Sequence, residues 1–276
     1  MAYLRPRRGL LFVPGDQEAK LRKAVGLDCD AVIIDLEDAV APTHKAEARA
    51  GALRALQELD FGGRERVLRI NALGSPWGAE DVQALRNLGH LPDTLLLPKV
   101  DSPDAIIELT RSLEDRPLEV IAAIESARGL LAAPAIAGCP RVTALIFGDG
   151  DYLADTGGRR TDQTLLFPRS ALVAAATAAG VVALDTPYLR LGDLAGLAAD
   201  AEAASDLGFA GKAAIHPEQL PVIKRIFTPS PDRIAWAERV MAAAAAQEAH
   251  GVFIIEGVMA DAMTVRTAQR ILASRP

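Results

Sequence analysis

Cysteine, aromatic side chains and long apolar runs are all scarce in this chain of 276 residues. Cys29 and Cys139 are the only cysteines and form no CxxC pair, which argues against a disulfide scaffold or a zinc site. Aromatic residues make up 4% of the chain, so aliphatic side chains must build the core. The apolar stretch before Gly15 is too short for a signal peptide or a membrane span. These absences predict a soluble, cytoplasmic protein.

An excess of basic residues is also lacking, since 30 lysines and arginines face 36 acidic residues, a net charge of −6. The chain therefore has no electrostatic footprint for nucleic acid. Half of the residues are hydrophobic and 24% are charged, a composition that excludes a disordered chain. The length alone allows two small domains or one large one.

Eight short apolar segments rich in β-branched residues recur along the chain, separated by stretches with helical periodicity. Alternation of this kind predicts parallel βαβ units, and eight units fit an α/β fold of the (β/α)8 TIM-barrel type. A doubly wound open sheet is the alternative, but no GxGxxG follows the first strand and no GxxxxGK[ST] occurs. The predicted strands are Gly9–Val13, Ala31–Leu36, Arg66–Ile70, Thr94–Leu97, Leu118–Ile124, Val142–Phe147, Val181–Leu184 and Ala213–Ile215. The clearest predicted helices between them are Lys45–Leu59, Ala79–Leu88, Ser102–Leu113 and Leu194–Leu207.

The chain continues beyond the eighth unit. The pattern predicts a helix over Arg233–His250, a short strand over Val252–Ile255 and a helix over Ala262–Ser274. We therefore expect a catalytic barrel domain over residues 1–228 and a C-terminal, mainly helical extension over residues 229–276. The extension is expected to cover the barrel mouth or a neighbouring subunit.

Charged and polar residues follow most of the predicted strands, where such barrels carry their active sites. This distribution predicts a catalytic rim, although acids after strands also cap helices, an equally good explanation for Asp16, Asp101 and Asp185. The residues concerned are Asp35, Glu37, Asp38, Arg69, Asn71, Lys99, Glu125, Asp149, Asp151, Asp185, Tyr188 and His216.

Glu125 and Asp151 follow adjacent predicted strands, which would bring both carboxylates to one rim. Proteins usually bind Mg²⁺ through one or two carboxylates and leave its other coordination positions to water and substrate. The lack of a Cys or His cluster argues against Zn²⁺. A salt bridge between Glu125 and a rim arginine is the structural alternative.

Arg8 and Arg69 are expected to supply the opposite charge beside this acidic rim. Guanidinium groups bind carboxylates through paired hydrogen bonds, so the pattern indicates an organic-acid substrate. The alternatives are a surface cation for Arg8 and neutralisation of the nearby acids for Arg69. Lys99 would bind an anion or pair with an acid, and a Schiff-base role is disfavoured. For His216 a structural role is favoured.

Taken in order, eight strings resemble the citrate lyase β-subunit (CitE-like) family, part of the larger group of malyl-CoA, citramalyl-CoA and citryl-CoA lyases. The resemblance runs from Arg8 to Leu272 and extends through the tail string GVMADAMTVRTAQRIL. The strings are RRGLLFVPGD, AVIIDLEDAV, VLRIN, LLLPKV, IAAIESARGL, FGDGDY, ALDTPY and AAIHPEQ.

The resemblance implies a (β/α)8 barrel, bound Mg²⁺ and an acyl-CoA-type thioester substrate. It implies that Glu125 and Asp151 are the metal ligands, with Asp149 fitting the motif less well. It further implies that Arg8 and Arg69 hold the substrate's carboxylate and carbonyl, with Glu125 also at the substrate.

The resemblance assigns catalytic roles to Arg69, to Glu37 and Asp38, which support metal-bound water, and to Asp261. In relatives, the aspartate that Asp261 matches reaches a neighbouring subunit's site as an acid/base. Two positions depart from the family pattern: Gly9 replaces a usual serine and Val258 a usual lysine. The second departure puts the docking of the tail in doubt.

The implied reaction is Mg²⁺-dependent retro-Claisen cleavage of citryl-, citramalyl- or malyl-CoA to a 2-oxo acid and an acetyl thioester. The 2-oxo acid (oxaloacetate, pyruvate or glyoxylate) stays open. Alternatives are a malyl-CoA-type thioesterase or condensing enzyme at the same site, a CoA-independent metal aldolase, and a non-catalytic subunit of a lyase complex. The expected assembly is a homo-oligomer, a trimer or hexamer, with an acyl-carrier subunit as a further partner.

Overall fold

Eight parallel strands close into a barrel in chain order, with β8 pairing back onto β1. The computed structural model describes residues 5–114, 116–246, 252–255 and 257–275. The barrel strands are β1 (Gly9–Pro14), β2 (Ala31–Asp35), β3 (Glu65–Arg69), β4 (Thr94–Leu97), β5 (Glu119–Ile124), β6 (Val142–Phe147), β7 (Val182–Asp185) and β8 (Gly211–Ala214). The predicted (β/α)8 barrel is confirmed, and the open sheet is excluded because no edge is left between β1 and β8.

Helices surround the barrel and connect successive strands, so that each strand runs parallel to the next. They are α1 (Glu18–Ala24), α2 (Lys45–Glu58), α3 (Pro76–Arg86), α4 (Pro103–Ser112), α5 (Ala127–Ala137), α6 (Asp149–Thr156), α7 (Asp162–Ala179), α8 (Leu194–Leu207) and α9 (Leu220–Phe227). The short helix α6 has no clear apolar period in the sequence. Its position is set by its ends, since it starts directly after β6 and stops at Gly157, whose φ of 71° is left-handed.

The barrel strands are covered on both faces, which explains their continuous apolar runs. Along β2 all five residues are buried; Ile33 packs inside the barrel, whereas Val32 and Ile34 pack against the surrounding helices. The eighth strand begins earlier than predicted because Lys212, a charged residue, lies within it and is fully buried. An ion pair with Asp185 makes this burial tolerable.

The residues after α9 form their own apolar cluster. Helix α10 (Pro231–Ala246) and helix α11 (Ala262–Ala273) pack on an antiparallel hairpin of β9 (Phe253–Ile255) and β10 (Val258–Ala260). The strand β10 was not predicted, and residues 247–250 of the predicted helix lie outside the described residues. The division at residue 228 and the docking of this extension stay predictions.

Within the described part of the chain, no helix is both long enough and apolar enough to span a membrane.

Candidate active site

Six charged side chains converge at the carboxyl ends of β2 to β6, and we call them the rim cluster. Each lies at or within four residues of the end of a strand, so the closure of the barrel brings together residues far apart in sequence. The rim cluster consists of Glu37, Asp38, Arg69, Lys99, Glu125 and Asp151, which ion pairs and charge interactions link to one another.

Arg69 ends β3 and is held from below by a buried carboxylate. Its Nε and Nη2 atoms each donate to an oxygen of Asp35, both at 2.6 Å. The guanidinium lies 4.8 Å from the ring centre of Phe12. Its remaining nitrogen, Nη1, lies 3.0 Å from Glu37 Oε2 and 3.8 Å from Asp38 Oδ2. Arg69 therefore neutralises the neighbouring acids and also presents a fixed, charged edge to them.

Lys99 follows β4 and lies among the acids of the rim cluster. Its ammonium group lies 2.6 Å from Glu37 Oε1, 3.6 Å from Asp38 Oδ1 and 4.0 Å from Asp151 Oδ2. Its backbone has a left-handed φ of 54°, uncommon for a residue with a side chain. In this conformation its N–H donates to Glu125 Oε2 at 2.8 Å. Lys99 thus orients Glu125 with its main chain and Glu37 with its side chain.

Glu125 is an acid that the fold buries without a cationic side chain bonded to it. Burial raises its pKa to about 7, and the negative charges of Glu37 and Asp151 contribute in the same direction. Gly148 leaves room for the side chain, since a Cβ there would lie 2.5 Å from Glu125 Cγ. A carboxylate in this environment favours either a proton or a cation as a partner.

Asp151 lies in the first turn of α6, and its side chain is about half exposed. Among the described residues, no group of three or more His, Cys, Asp or Glu side chains could enclose a metal ion. Glu125 and Asp151 could therefore supply at most two hard-oxygen ligands at the rim. That donor set suits Mg²⁺, which usually keeps water and substrate oxygens as its other ligands.

Glu37 is buried, and one of its oxygens, Oε2, accepts no hydrogen bond within the described residues. Burial raises the pKa of Glu37, and the opposing effects of Arg69 and Lys99 do not cancel this shift. Lys45 fixes the loop that carries Glu37, because its ammonium group donates to the main-chain oxygens of Leu36 and Glu37, both at 2.7 Å. Lys45 was not predicted as part of the site, since nothing in the sequence pattern distinguishes it from other helix-terminal lysines.

The prediction that Arg8 lies beside the rim acids is wrong. Arg8 precedes β1 and therefore lies at the amino-terminal end of the barrel, the end opposite the rim cluster. Its main-chain N–H, Nε and Nη2 donate to the carboxylate of Asp30, and Nη1 donates to Thr228 Oγ1. The side chain is 8% exposed, so its role is structural and it is not available to a substrate at the rim.

Three further residues flagged by the sequence have structural bonds. Asp149 is buried and accepts from Arg160 and Thr186. His216 caps the short 3-10 helix of Pro217–Gln219. Asp261 caps α11, and its carboxylate accepts from the main-chain N–H groups of Met263 and Thr264. Its predicted role at a neighbouring subunit's site stays a prediction.

The chain matches the HpcH/HpaI aldolase/citrate lyase family over residues 8–217. The chain belongs to this family. The predicted resemblance is confirmed, and with it the prediction of a carbon–carbon lyase, since aldolases and citrate lyases both cleave carbon–carbon bonds.

Individual members of the family resemble the chain over nearly its whole length. Human mitochondrial citramalyl-CoA lyase is 35% identical over 96% of this chain and 84% of the human protein. A (3S)-malyl-CoA thioesterase of Cereibacter sphaeroides is 37% identical, covering 97% of this chain and 94% of the relative. CitE of Mycobacterium tuberculosis, crystallised with magnesium, acetoacetate and coenzyme A, is 36% identical with a TM-score of 0.78 and covers 96% of this chain and 97% of that one.

Proposed function

We propose that the protein is a Mg²⁺-dependent lyase that cleaves a 3-hydroxyacyl-CoA-type thioester to a 2-oxo acid and an acetyl thioester. The observation that carries the proposal is the carboxylate of Glu125, which is buried at the rim within electrostatic reach of Asp151 and has no cationic side chain bonded to it in the described part of the chain. The CitE structure with magnesium and coenzyme A supports both the metal and the thioester.

The cation and the substrate would be held by different parts of the rim cluster. Glu125 and Asp151 would be the protein ligands of the metal. Bound Mg²⁺ would supply a Lewis acid that polarises the oxygens of the 2-oxo-acid portion. Arg69 would bind the substrate's carboxylate or developing carbonyl oxygen through Nη1, the nitrogen that does not bond to Asp35. A preorganised guanidinium stabilises charge that builds up during bond cleavage.

Glu37 would exchange the proton of the substrate's hydroxyl group, directly or through a water molecule held with Asp38. Its raised pKa makes its carboxylate a stronger base than an exposed glutamate, which favours proton acceptance from the substrate. Lys99 hydrogen-bonds Glu37 at 2.6 Å and would keep that carboxylate ionised and oriented. Loss of the hydroxyl proton lets the carbon–carbon bond break, and the enolate of the acetyl thioester leaves.

Protonation of that enolate needs an acid that can reach the departing carbon. Asp261 is our candidate, supplied by a neighbouring subunit, which requires a homo-oligomer such as a trimer or hexamer. In this arrangement residues 229–276 would dock on a second barrel rather than on their own. An acyl-carrier subunit in place of free CoA remains a further candidate partner.

The experiment is a screen of citryl-, citramalyl- and malyl-CoA with the purified chain and Mg²⁺, in which the 2-oxo acid and acetyl-CoA are quantified. Asp151→Ala should abolish Mg²⁺ binding in a calorimeter and turnover together. Asp162→Ala, which removes an exposed carboxylate in the first turn of α7, is the matched control. Full turnover in EDTA would contradict the metal-dependent reaction. Turnover without any thioester would indicate a CoA-independent aldolase, and no turnover with any substrate a non-catalytic subunit.

A thioesterase is the second candidate, favoured by the 37% identity to a (3S)-malyl-CoA thioesterase. The same site would bind malyl-CoA but direct water to the thioester carbonyl. Product analysis separates the two reactions: a thioesterase releases free CoA and malate, whereas a lyase releases glyoxylate and acetyl-CoA. Free CoA without acetyl-CoA would therefore replace the lyase proposal.

A further inference from the structure

A network of six charged side chains, which the proposed reaction does not use, links β7 and β8 to α6, α7 and α8. Lys212 on β8 places its ammonium group 2.5 Å from an oxygen of Asp185 and 2.5 Å from one of Asp200. Arg169 on α7 contacts the same two acids at 2.8 and 3.7 Å. Arg160 and Asp149 complete the network, which balances three positive charges with three negative ones.

The network is anchored at its inner end. The side chains of Lys212 and Asp185 are fully buried, and that of Arg169 is 5% exposed. Removing charges from water is costly unless each has a partner, so these groups hold one another in a fixed geometry. The inner network is therefore a rigid reference point formed by α7, β7, α8 and β8.

Arg160 is the outer end of the network and lies in the connection between α6 and α7, where residues 157–164 are exposed. Its Nε donates to Asp149 Oδ2 at 2.6 Å, and its Nη2 donates to Asp200 Oδ1 at 3.4 Å. Its guanidinium also lies 5.9 Å from the ring centre of Tyr188. Arg160 thus links the rigid inner network to the start of α6.

Asp149 is the first residue of α6, two residues before Asp151. Both of its oxygens are bonded, one by Arg160 and the other by Thr186 Oγ1 at 2.6 Å. Asp151, by contrast, has Lys99 at 4.0 Å as its ion-pair partner and is about half exposed. The position of the Asp151 carboxylate therefore depends on how the first turn of α6 is held, and Asp149 holds it.

We propose that Arg160 is a positioning residue for the Mg²⁺ site: by holding Asp149 it fixes the first turn of α6 and thereby the Asp151 carboxylate. This inference rests on the proposed function, because it assumes that Asp151 binds the metal. Partners that orient metal ligands typically contribute 10- to 100-fold to metal affinity.

The test is Mg²⁺ titration calorimetry on the full chain, with the melting temperature of each metal-free variant measured alongside. Arg160→Gln should raise the Kd for Mg²⁺ by about 10- to 100-fold, and Arg160→Lys should restore part of the loss. The lyase rate of Arg160→Gln should recover when Mg²⁺ is raised to saturation. Arg159→Gln is the matched control, since the Arg159 side chain is exposed and has no ion pair or hydrogen bond within the described residues.

Two results would overturn the inference. The first is a Kd for Arg160→Gln equal to that of the wild-type chain and of Arg159→Gln. The second is a loss of Mg²⁺ affinity in Arg160→Gln that is matched by a fall in its metal-free melting temperature, while Arg160→Lys equals the wild type in affinity and in melting temperature. That combination would indicate that Arg160 stabilises the fold in general. A wild-type chain that binds no Mg²⁺ would contradict the proposed function itself. This failure can be told apart from failure of the inference about Arg160, because it is seen in the wild-type protein without any variant.

Discussion

Both ends of the barrel carry clusters of charged side chains, but the clusters differ in how well their charges are paired. At the amino-terminal end, Arg7 donates to both oxygens of Glu65 and to one of Glu119, and Arg8 encloses Asp30. Burial raises the pKa of the Asp30 carboxyl, but the bonds from Arg8 outweigh it and the net shift is downward. There the charged groups stabilise the fold.

At the carboxyl-terminal end the cations do not offset the burial of the acids. Arg69 and Lys99 contact Glu37, and no cationic side chain in the described part of the chain is bonded to Glu125. Burial raises the pKa of Glu37 and brings that of Glu125 to about 7. A raised carboxyl pKa means that the folded state disfavours the ionised form, so these groups weaken the fold at neutral pH. The comparison indicates that the rim retains unfavourable charge for ligand binding, and the other end provides compensating stability.

The largest expected effect is on stability at the amino-terminal end. Arg7→Met should lower the free energy of unfolding by about 3–5 kcal/mol, because it leaves the buried carboxylate of Glu65 without its cation. Urea unfolding measures the loss. The double variant Arg7→Met/Glu65→Leu should recover much of it, and a double variant no better than the single one would contradict this explanation.

The corresponding change at the rim should affect turnover instead. Arg69→Lys keeps the charge opposite Asp35 but loses the planar fork that fixes Nη1. We expect turnover to fall by about 10²- to 10³-fold, the usual loss when one fixed donor to a developing charge is removed. The free energy of unfolding should change much less than in Arg7→Met. A variant with wild-type turnover would show that Arg69 only neutralises acids.

Glu125→Gln should abolish Mg²⁺ binding and yet stabilise the metal-free fold. Because the folded pKa is about 7 and the usual value 4.5, the carboxylate opposes folding above pH 7, and this cost disappears as the pH falls below about 4. We expect about 1–3 kcal/mol of extra stability at pH 8 in EDTA. Unfolding curves from pH 4 to pH 8 test this, and equal stability of the two proteins at pH 8 would contradict it.

The smallest expected effect has the opposite pH dependence. The folded pKa of Asp30 is lowered, so its ionised form contributes stability above about pH 4, and this contribution is lost as the pH falls through the folded pKa. Asp30→Asn should therefore lose about 1–2 kcal/mol between pH 5 and pH 8 and approach the wild type below pH 4. Asp28→Asn, an exposed neighbour, is the control. A difference that does not change with pH would assign the loss to packing.

The sequence predicted the barrel because a strand that is covered on both faces is a continuous apolar segment. Such a segment can be recognised in the sequence without knowing which residues contact it. The sequence also predicted most of the rim cluster, since residues that directly follow parallel strands meet at one end. It placed the starts of β3 and β8 too late, because Glu65 and Lys212 are charged residues inside strands. These charged residues can be buried only because each has an ion-pair partner of opposite charge. A partner far away in the sequence cannot be recognised from the residues next to it.

The length and spacing of the apolar segments by themselves determined a (β/α)8 barrel and the strand ends that form its rim. Only the tertiary structure decided which of the predicted residues lie away from the rim. Arg8 and Arg69 both flank a strand, but they lie at opposite ends of the barrel, which are about 15–20 Å apart for strands of five or six residues. The burial that shifts the pKa of Glu125 likewise arises from Gly148 and the rest of the rim cluster, none adjacent to it in sequence.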